Sequence, residues 1–181
     1  MGFIFYQKSP RYQNKSLILS NISKYKVGVF VNEDFESIRD KILKQNLTHV
    51  QLHGDESPSL CKKLMRLVRV IKAFRISQYF DINKTHEYLE SCDYFLFDTD
   101  SDSFGGSGKK FNWDIIKNFT KKKFFLSGGI DLESINKIKK IKKENEYLFA
   151  VDINSKFEFS PGIKDIKKIK RFLKKLNDGK F

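Results

Sequence analysis

Asp98 closes the apolar run Tyr94-Phe95-Leu96-Phe97, just ahead of a glycine-rich stretch. A carboxyl flanked by apolar residues can have its pKa raised and serve as a general acid. The plainer alternative is a loop carboxylate that caps local N–H groups. Asp100 and Asp102 lie further out and read as solvated. A second run, Phe124-Phe125-Leu126, ends in Ser127-Gly128-Gly129. Bare backbone N–H groups at such a turn hold phosphate well. Asn154 and Ser155 follow the run Leu148-Phe149-Ala150-Val151 and offer a second phosphate contact, against the alternative of two ordinary glycine turns. Arg11 follows Ser9-Pro10 past the first apolar run. Its planar fork suits a carboxylate, although an ordinary surface arginine would look the same. His53 ends the run His49-Val50-Gln51-Leu52 and reads equally as a proton carrier or as a hydrogen-bonded group at the core edge.

Other candidates carry less. The segment Gly105-Gly106-Ser107-Gly108-Lys109 invites a phosphate-loop reading, but Ser103 stands where a Walker glycine is needed and Lys110 where Ser or Thr is needed. A substrate-covering loop around Gly106 fits better. Cys61 sits between Leu60 and Leu64, as a packing residue would, and Cys92 precedes a strand on the wrong side of a barrel. Neither has metal spacing or a His or Asp arrangement for nucleophilic catalysis. Two such thiols suit a reducing cytoplasm. His49 and His86 look incidental.

These residues share a position, the carboxyl end of a predicted strand. Strands are expected at Gly2–Tyr6, Val27–Val31, His49–Leu52, Val68–Ala73, Tyr94–Phe97, Lys123–Leu126 and Tyr147–Val151. Helical segments are expected at Asn14–Ser20, Asp34–Lys44, Ser57 to about Arg66, Asn83–Glu90, Asn112–Phe119, Leu132–Lys142 and Lys164–Leu176, with Ser57 and Asp131 as N-caps. The strands are short and almost wholly apolar, as parallel strands covered on both faces are. Alternating strand and helix predicts an α/β fold with a parallel sheet, and such enzymes keep their chemistry at the strand carboxyl ends. Seven units fall one short of an eight-stranded barrel, which usually needs about 200 residues or more. The 181 residues therefore predict a single domain, residues 1–181, a TIM (β/α)8 barrel without its first βα unit.

Composition narrows the partners. No apolar stretch reaches the ~20 residues of a membrane helix, and the N-terminus has no signal-peptide pattern, so no membrane is expected and the chain reads as cytoplasmic. The net charge of +13 admits nucleic acid or an anionic metabolite. The lysines run along predicted helices without interleaved aromatics, and only six of the 35 basic residues are arginine. A solvated lysine surface is the expectation, with no nucleic-acid partner.

Several motifs in fixed order resemble phosphoribosylanthranilate isomerase. They are Gly2-Phe3-Ile4-Phe5-Tyr6 with Lys8-Ser9-Pro10-Arg11-Tyr12, Val27-Gly28-Val29-Phe30-Val31-Asn32, Val50-Gln51-Leu52-His53-Gly54, Ile71-Lys72-Ala73, Asp98-Thr99, and Gly105 through Trp113. Leu126-Ser127-Gly128-Gly129, Val151-Asp152 and Pro161-Gly162-Ile163-Lys164-Asp165 complete the set, which is colinear from Met1 to about Leu176. The resemblance implies a (βα)8 barrel of tryptophan biosynthesis. The reaction would be the Amadori rearrangement of N-(5′-phosphoribosyl)anthranilate to the carboxyphenylamino-deoxyribulose phosphate. It implies no cofactor and no metal, a small phosphosugar substrate, and a monomer or homodimer. Asp98 would open the ribose ring as general acid and Arg11 would meet the anthranilate carboxylate. Ser127, Gly128, Gly129, Asn154 and Ser155 would hold phosphate, with His53, Gly106 and Asp152 also lining the substrate.

Two departures stand out. The family's first strand carries Lys-Ile-Cys-Gly, whose cysteine takes the proton from C2, and nothing in this chain matches it. Met1 is accordingly expected to be an internal methionine of a longer reading frame, since a start inside a strand leaves sheet edges unpaired. The competing expectation is a barrel remnant that binds phosphate ligands without turnover. Second, the family's Asp-Val-Ser-Ser-Gly-Val-Glu is replaced by Asp152-Ile153-Asn154-Ser155-Lys156-Phe157-Glu158, which loses a glycine at the phosphate turn.

Overall fold

β-Branched and aromatic residues are frequent in the apolar runs, and each run forms a short strand: β1 (Gly2–Ile4), β2 (Val27–Phe30), β3 (His49–Leu52), β4 (Arg69–Ile76), β5 (Tyr94–Thr99), β6 (Phe124–Leu126) and β7 (Leu148–Val151). The computed structural model describes residues 1–13, 24–99 and 112–178. The helix expected at Asn14–Ser20, Asp100, Asp102 and the Gly105–Lys109 loop with Gly106 lie outside the described residues.

The strands are ordered β1-β2-β3-β4-β5-β6-β7, so each neighbour in sequence is a neighbour in the sheet. Pairing is parallel from β1 through β4, with Val27 opposite His49 and Val50 opposite Val70, and again between β6 and β7. Parallel neighbours in chain order require a crossover between every pair. Here α1 (Phe35–Gln45), α2 (Pro58–Leu64) and α3 (Ile135–Glu144) lie in three of these connections, and α4 (Ile166–Asn177) follows β7. The outer edge of β1 is partly covered: Tyr12 makes a parallel bridge to Ile4, and Gln13 N–H donates to the Ile4 carbonyl at 2.9 Å.

Caps set the helix limits. Asp34 accepts from Ser37 N–H at the start of α1, and Asn46 ends it in the left-handed region at φ 49°. Ser57 caps α2, with Pro58 in its first turn.

The chain forms two compact units. The first comprises Met1–Phe74 and Ile82–Phe95, the second Arg75–Asp81 and Leu96 onward. In the first, Ile38 and Ile42 of α1 and Leu64 of α2 are buried, as are Val50, Leu52 and Val70 of the strands. In the second, Phe119 packs edge-on against Phe97 and Phe124, which are tilted against each other, and Phe157 packs edge-on against Phe172 of α4.

Three helical expectations need correction. Asn83–Glu90 is a 3₁₀ segment over Ile82–Tyr88, where the Thr85 hydroxyl donates back to the Ile82 carbonyl at 2.7 Å. Asn, Thr and His are weak helix formers that bond locally instead. Asn112–Phe119 contains only a short 3₁₀ turn, Trp113–Ile115. Its period of three suits Trp113, Ile116 and Phe119, all of which are buried. The last helix begins at Ile166 rather than Lys164, because Glu158–Ser160 (β8) and Ile163–Lys164 (β9) form an antiparallel hairpin with Gly162 at φ 86°. Asp131 does cap, through a reciprocal box with Ser134, but it starts a 3₁₀ turn that leads into α3. Among the described residues, no helix is long and apolar enough to cross a membrane.

Candidate active site

In the first unit the carboxyl end of β3 is tied down by a buried ion pair. Lys72 reaches from β4 to the Glu56 carboxylate at 2.9 Å, and their side chains are 4% and 1% exposed. The ammonium also donates to the carbonyls of Gly54 at 2.7 Å and Leu52 at 3.5 Å. Glu56 accepts the Gly54 N–H at 3.0 Å and the Asn32 N–H, just past β2, at 2.9 Å. Asn32 takes φ 53° and accepts the Asp55 N–H at 2.7 Å. A Cβ at Gly54 would lie 2.8 Å from the Asn32 backbone nitrogen, so only glycine admits this approach. Thus Lys72 and Glu56 link the ends of three strands.

His53 sits within this clasp. It is buried, its N–H donates to the Phe30 carbonyl at 2.9 Å, and its Nδ1 lies 2.8 Å from Gln51 Nε2. Arg11 is half-buried on the loop after β1, where two successive turns reverse the chain: Ser9 N–H donates to Tyr6 and Tyr12 N–H to Ser9, both at 3.0 Å.

In the second unit Asp98 lies inside β5, one residue short of its end, rather than just beyond the strand. It is buried and accepts the Thr99 N–H at 2.8 Å. Ser127 N–H donates to the Phe97 carbonyl at 2.8 Å, which sets the β6 turn beside the acid. Gly128 and Gly129 follow at φ 88° and 62°. A Cβ at Gly128 would lie 2.8 Å from Thr99 N and 3.2 Å from Asp98 Oδ1, so carboxyl and glycine turn are in contact. Gly128→Ala is expected to cost at least ~1–2 kcal/mol from the left-handed backbone alone, before the clash is counted. Urea unfolding measures this, and a loss under ~0.5 kcal/mol, the usual range for a neutral surface change, would contradict the geometry.

Asp152 is aligned with this turn, its N–H donating to Leu126 at 2.8 Å. Asn154 and Ser155 begin the next turn, Ser155–Phe157 being 3₁₀. The Asn154 side chain accepts from Lys164 Nζ at 2.5 Å, and the same ammonium pairs with Glu158 at 2.8 Å. The hairpin therefore braces the turn at Asn154–Ser155. Asp98, Ser127, Gly128 and Asp152 are brought together in this unit; Arg11 and His53 belong to the other.

The cysteines are placed as packing residues. Burial pushes the Cys61 thiol up to about 11, the Lys72 charge offsetting only part of this, so it stays protonated at neutral pH. Cys92 is buried ahead of β5, and its thiol donates to the Tyr88 carbonyl at 3.3 Å. Among the described residues, no group of three His, Cys, Asp or Glu is arranged to hold a metal ion.

Parallel strands in chain order, joined by helical segments, with an acid and a paired-glycine turn at their carboxyl ends, define an enzyme of the (βα)-barrel class. The family described as "PRAI: N-(5'phosphoribosyl)anthranilate (PRA) isomerase" matches residues 1–175. The N-(5'-phosphoribosyl)anthranilate isomerase of Parabacteroides distasonis is 41% identical, covering 97% of this chain and 82% of the relative. The crystal structure of the Thermotoga maritima phosphoribosyl anthranilate isomerase superposes with a TM-score of 0.86 at 36% identity, covering 98% of this chain and 87% of that one. A phosphoribosyl anthranilate isomerase in complex with reduced 1-(o-carboxyphenylamino)-1-deoxyribulose 5-phosphate gives 0.81 at 33% identity, covering 98% and 86%. This chain belongs to the phosphoribosylanthranilate isomerase family, enzymes of tryptophan biosynthesis, and its strands are those of a (βα)8 barrel less its first βα unit.

Proposed function

We propose that Asp98 is the general acid of an Amadori rearrangement of N-(5′-phosphoribosyl)anthranilate, with the Gly128–Gly129 turn and the Asn154–Ser155 turn at the phosphate and Arg11 at the anthranilate carboxylate. The observation that carries this is the contact between the Asp98 carboxyl and the Gly128 turn. A proton from Asp98 passes to the ring oxygen as the C1–O bond breaks, and the nitrogen lone pair forms the C1 iminium. Loss of the C2 proton gives the enolamine, which becomes the C2 ketone as C1 gains a proton. C1 is reduced and C2 oxidised within one molecule, so the step needs no external redox partner. Neither Cys61 nor Cys92 is placed as the C2 proton acceptor. In this reading Asp152, His53 and Gly106 also serve substrate binding, the substrate is a phosphosugar, and the protein is cytoplasmic and monomeric or homodimeric.

The test is turnover of fresh substrate by the purified chain, read as loss of anthranilate fluorescence, together with titration of the reduced product analogue. Saturable analogue binding is expected, and turnover would place the C2 proton acceptor at a group of this chain other than its two cysteines. Arg11→Ala should weaken the analogue by roughly 10- to 100-fold, the worth of a hydrogen bond to a charged group, while sparing a ligand without the carboxylate. Equal losses for both ligands would remove Arg11 from its assigned role.

A further inference from the structure

Gln51 lies in β3 and His53 follows one residue past its end, and their side chains meet on the same face. Both are buried. The Gln51 amide nitrogen stands 2.8 Å from His53 Nδ1. A carboxamide nitrogen only donates, so the ring nitrogen it meets must be bare, which leaves the imidazole proton on Nε2. The backbone beneath the ring is equally constrained. Its own N–H is held by Phe30, the preceding and following carbonyls by the Lys72 ammonium, and the following N–H by Glu56.

A buried, charged clasp at a strand end is a costly way to shape a loop, because desolvating both ions offsets most of their attraction. Its effect here is to remove freedom from a segment that carries a titratable ring. Ring orientation is set by the backbone clasp and tautomer by the amide. These are the two variables that decide whether an imidazole donates or accepts at its outer nitrogen.

We infer that Gln51 is a positioning residue that holds His53 in the Nε2–H tautomer, making His53 a fixed hydrogen-bond donor within the substrate site and not a proton acceptor. The acceptor it suits is an oxygen: a carboxylate or a sugar hydroxyl of the substrate, or a carboxylate that itself touches substrate. This rests on the placement of His53 in the proposed site.

Nitrogen-15 NMR of the three histidines at mildly alkaline pH reads the tautomer directly, with His53→Gln identifying the signal. Wild-type chain should show a bare Nδ1 and a protonated Nε2. Gln51→Leu, which keeps the volume without the amide, should give a mixture of tautomers. Gln51→Glu, which presents only acceptors, should invert the tautomer to Nδ1–H. Affinity for the reduced product analogue should fall about tenfold in both, as for one lost hydrogen bond of typical to charged strength. A wild-type Nδ1–H tautomer, or a tautomer unchanged in both variants, overturns the assignment. If the wild-type chain does not bind the analogue, the proposed function fails, and the NMR signature still decides the tautomer.

Discussion

Asp98→Asn should reduce turnover by about 10²- to 10⁴-fold, the worth of a positioned general acid, with the affinity for the reduced product analogue nearly unchanged. The substitution is close to isosteric. The amide oxygen can still accept the Thr99 N–H, the bond that fixes the side chain at the end of β5. It removes only the exchangeable proton. Ring opening needs that proton because the departing alkoxide is otherwise a poor leaving group, while binding depends on the phosphate and carboxylate contacts. A kcat loss with little change in analogue affinity is therefore the signature of the acid role. If turnover persisted, the proton would have to come from elsewhere. If affinity fell in step with turnover, Asp98 would be shaping the Gly128 turn, which it touches.

The legible and illegible parts of this chain divide along physical lines. Most strand residues are apolar, so all seven strands could be found from short runs such as Phe124-Phe125-Leu126. Caps with one side-chain partner were legible too, as at Ser57 and Asp131. The Ser127-Gly128-Gly129 turn was readable because two adjacent glycines after a strand have few other uses, and both take positive φ. The 3₁₀ segments were not readable. Trp113, Ile116 and Phe119 fit a period of three as well as one of 3.6 over so short a span. The hairpin β8–β9 was missed because Lys164 looked like the first charge of a lysine-rich helix, whereas its ammonium turns back to Asn154 and Glu158. Gln51, Glu56 and Lys72 were also passed over as site residues, although one signal was available. Lys72 interrupts the run Val70-Ile71-Lys72-Ala73-Phe74 of a parallel strand, and a lysine there is buried and must find an anion. Nothing in one dimension names Glu56 as that anion, since the pair joins β4 to the loop after β3.

Lys72→Met should destabilise the chain by roughly 3–5 kcal/mol, the cost of leaving a buried charge without its partner. Methionine replaces the lysine stem closely, so packing against Phe74 and Tyr88, over which the ammonium sits at 6.0 and 5.7 Å, is largely kept. What is lost is the counterion of Glu56 and the donor for the Gly54 carbonyl. Adding Glu56→Gln should recover part of the loss. The amide oxygen of glutamine can still accept from Gly54 and Asn32, and no unpaired ion remains buried. The double variant should therefore be more stable than the sum of the two single losses, and a coupling of about 1–3 kcal/mol is the expected scale for residues in direct contact. Urea unfolding of the four proteins closes the cycle. Strict additivity would mean that the two side chains act independently despite the 2.9 Å contact, and a Lys72→Met loss below ~1 kcal/mol, well under the usual cost of an unpaired buried ion, would mean that water reaches Glu56. Either result would remove the clasp as the element that fixes His53, because a joint that solvent can open does not hold an imidazole in one orientation.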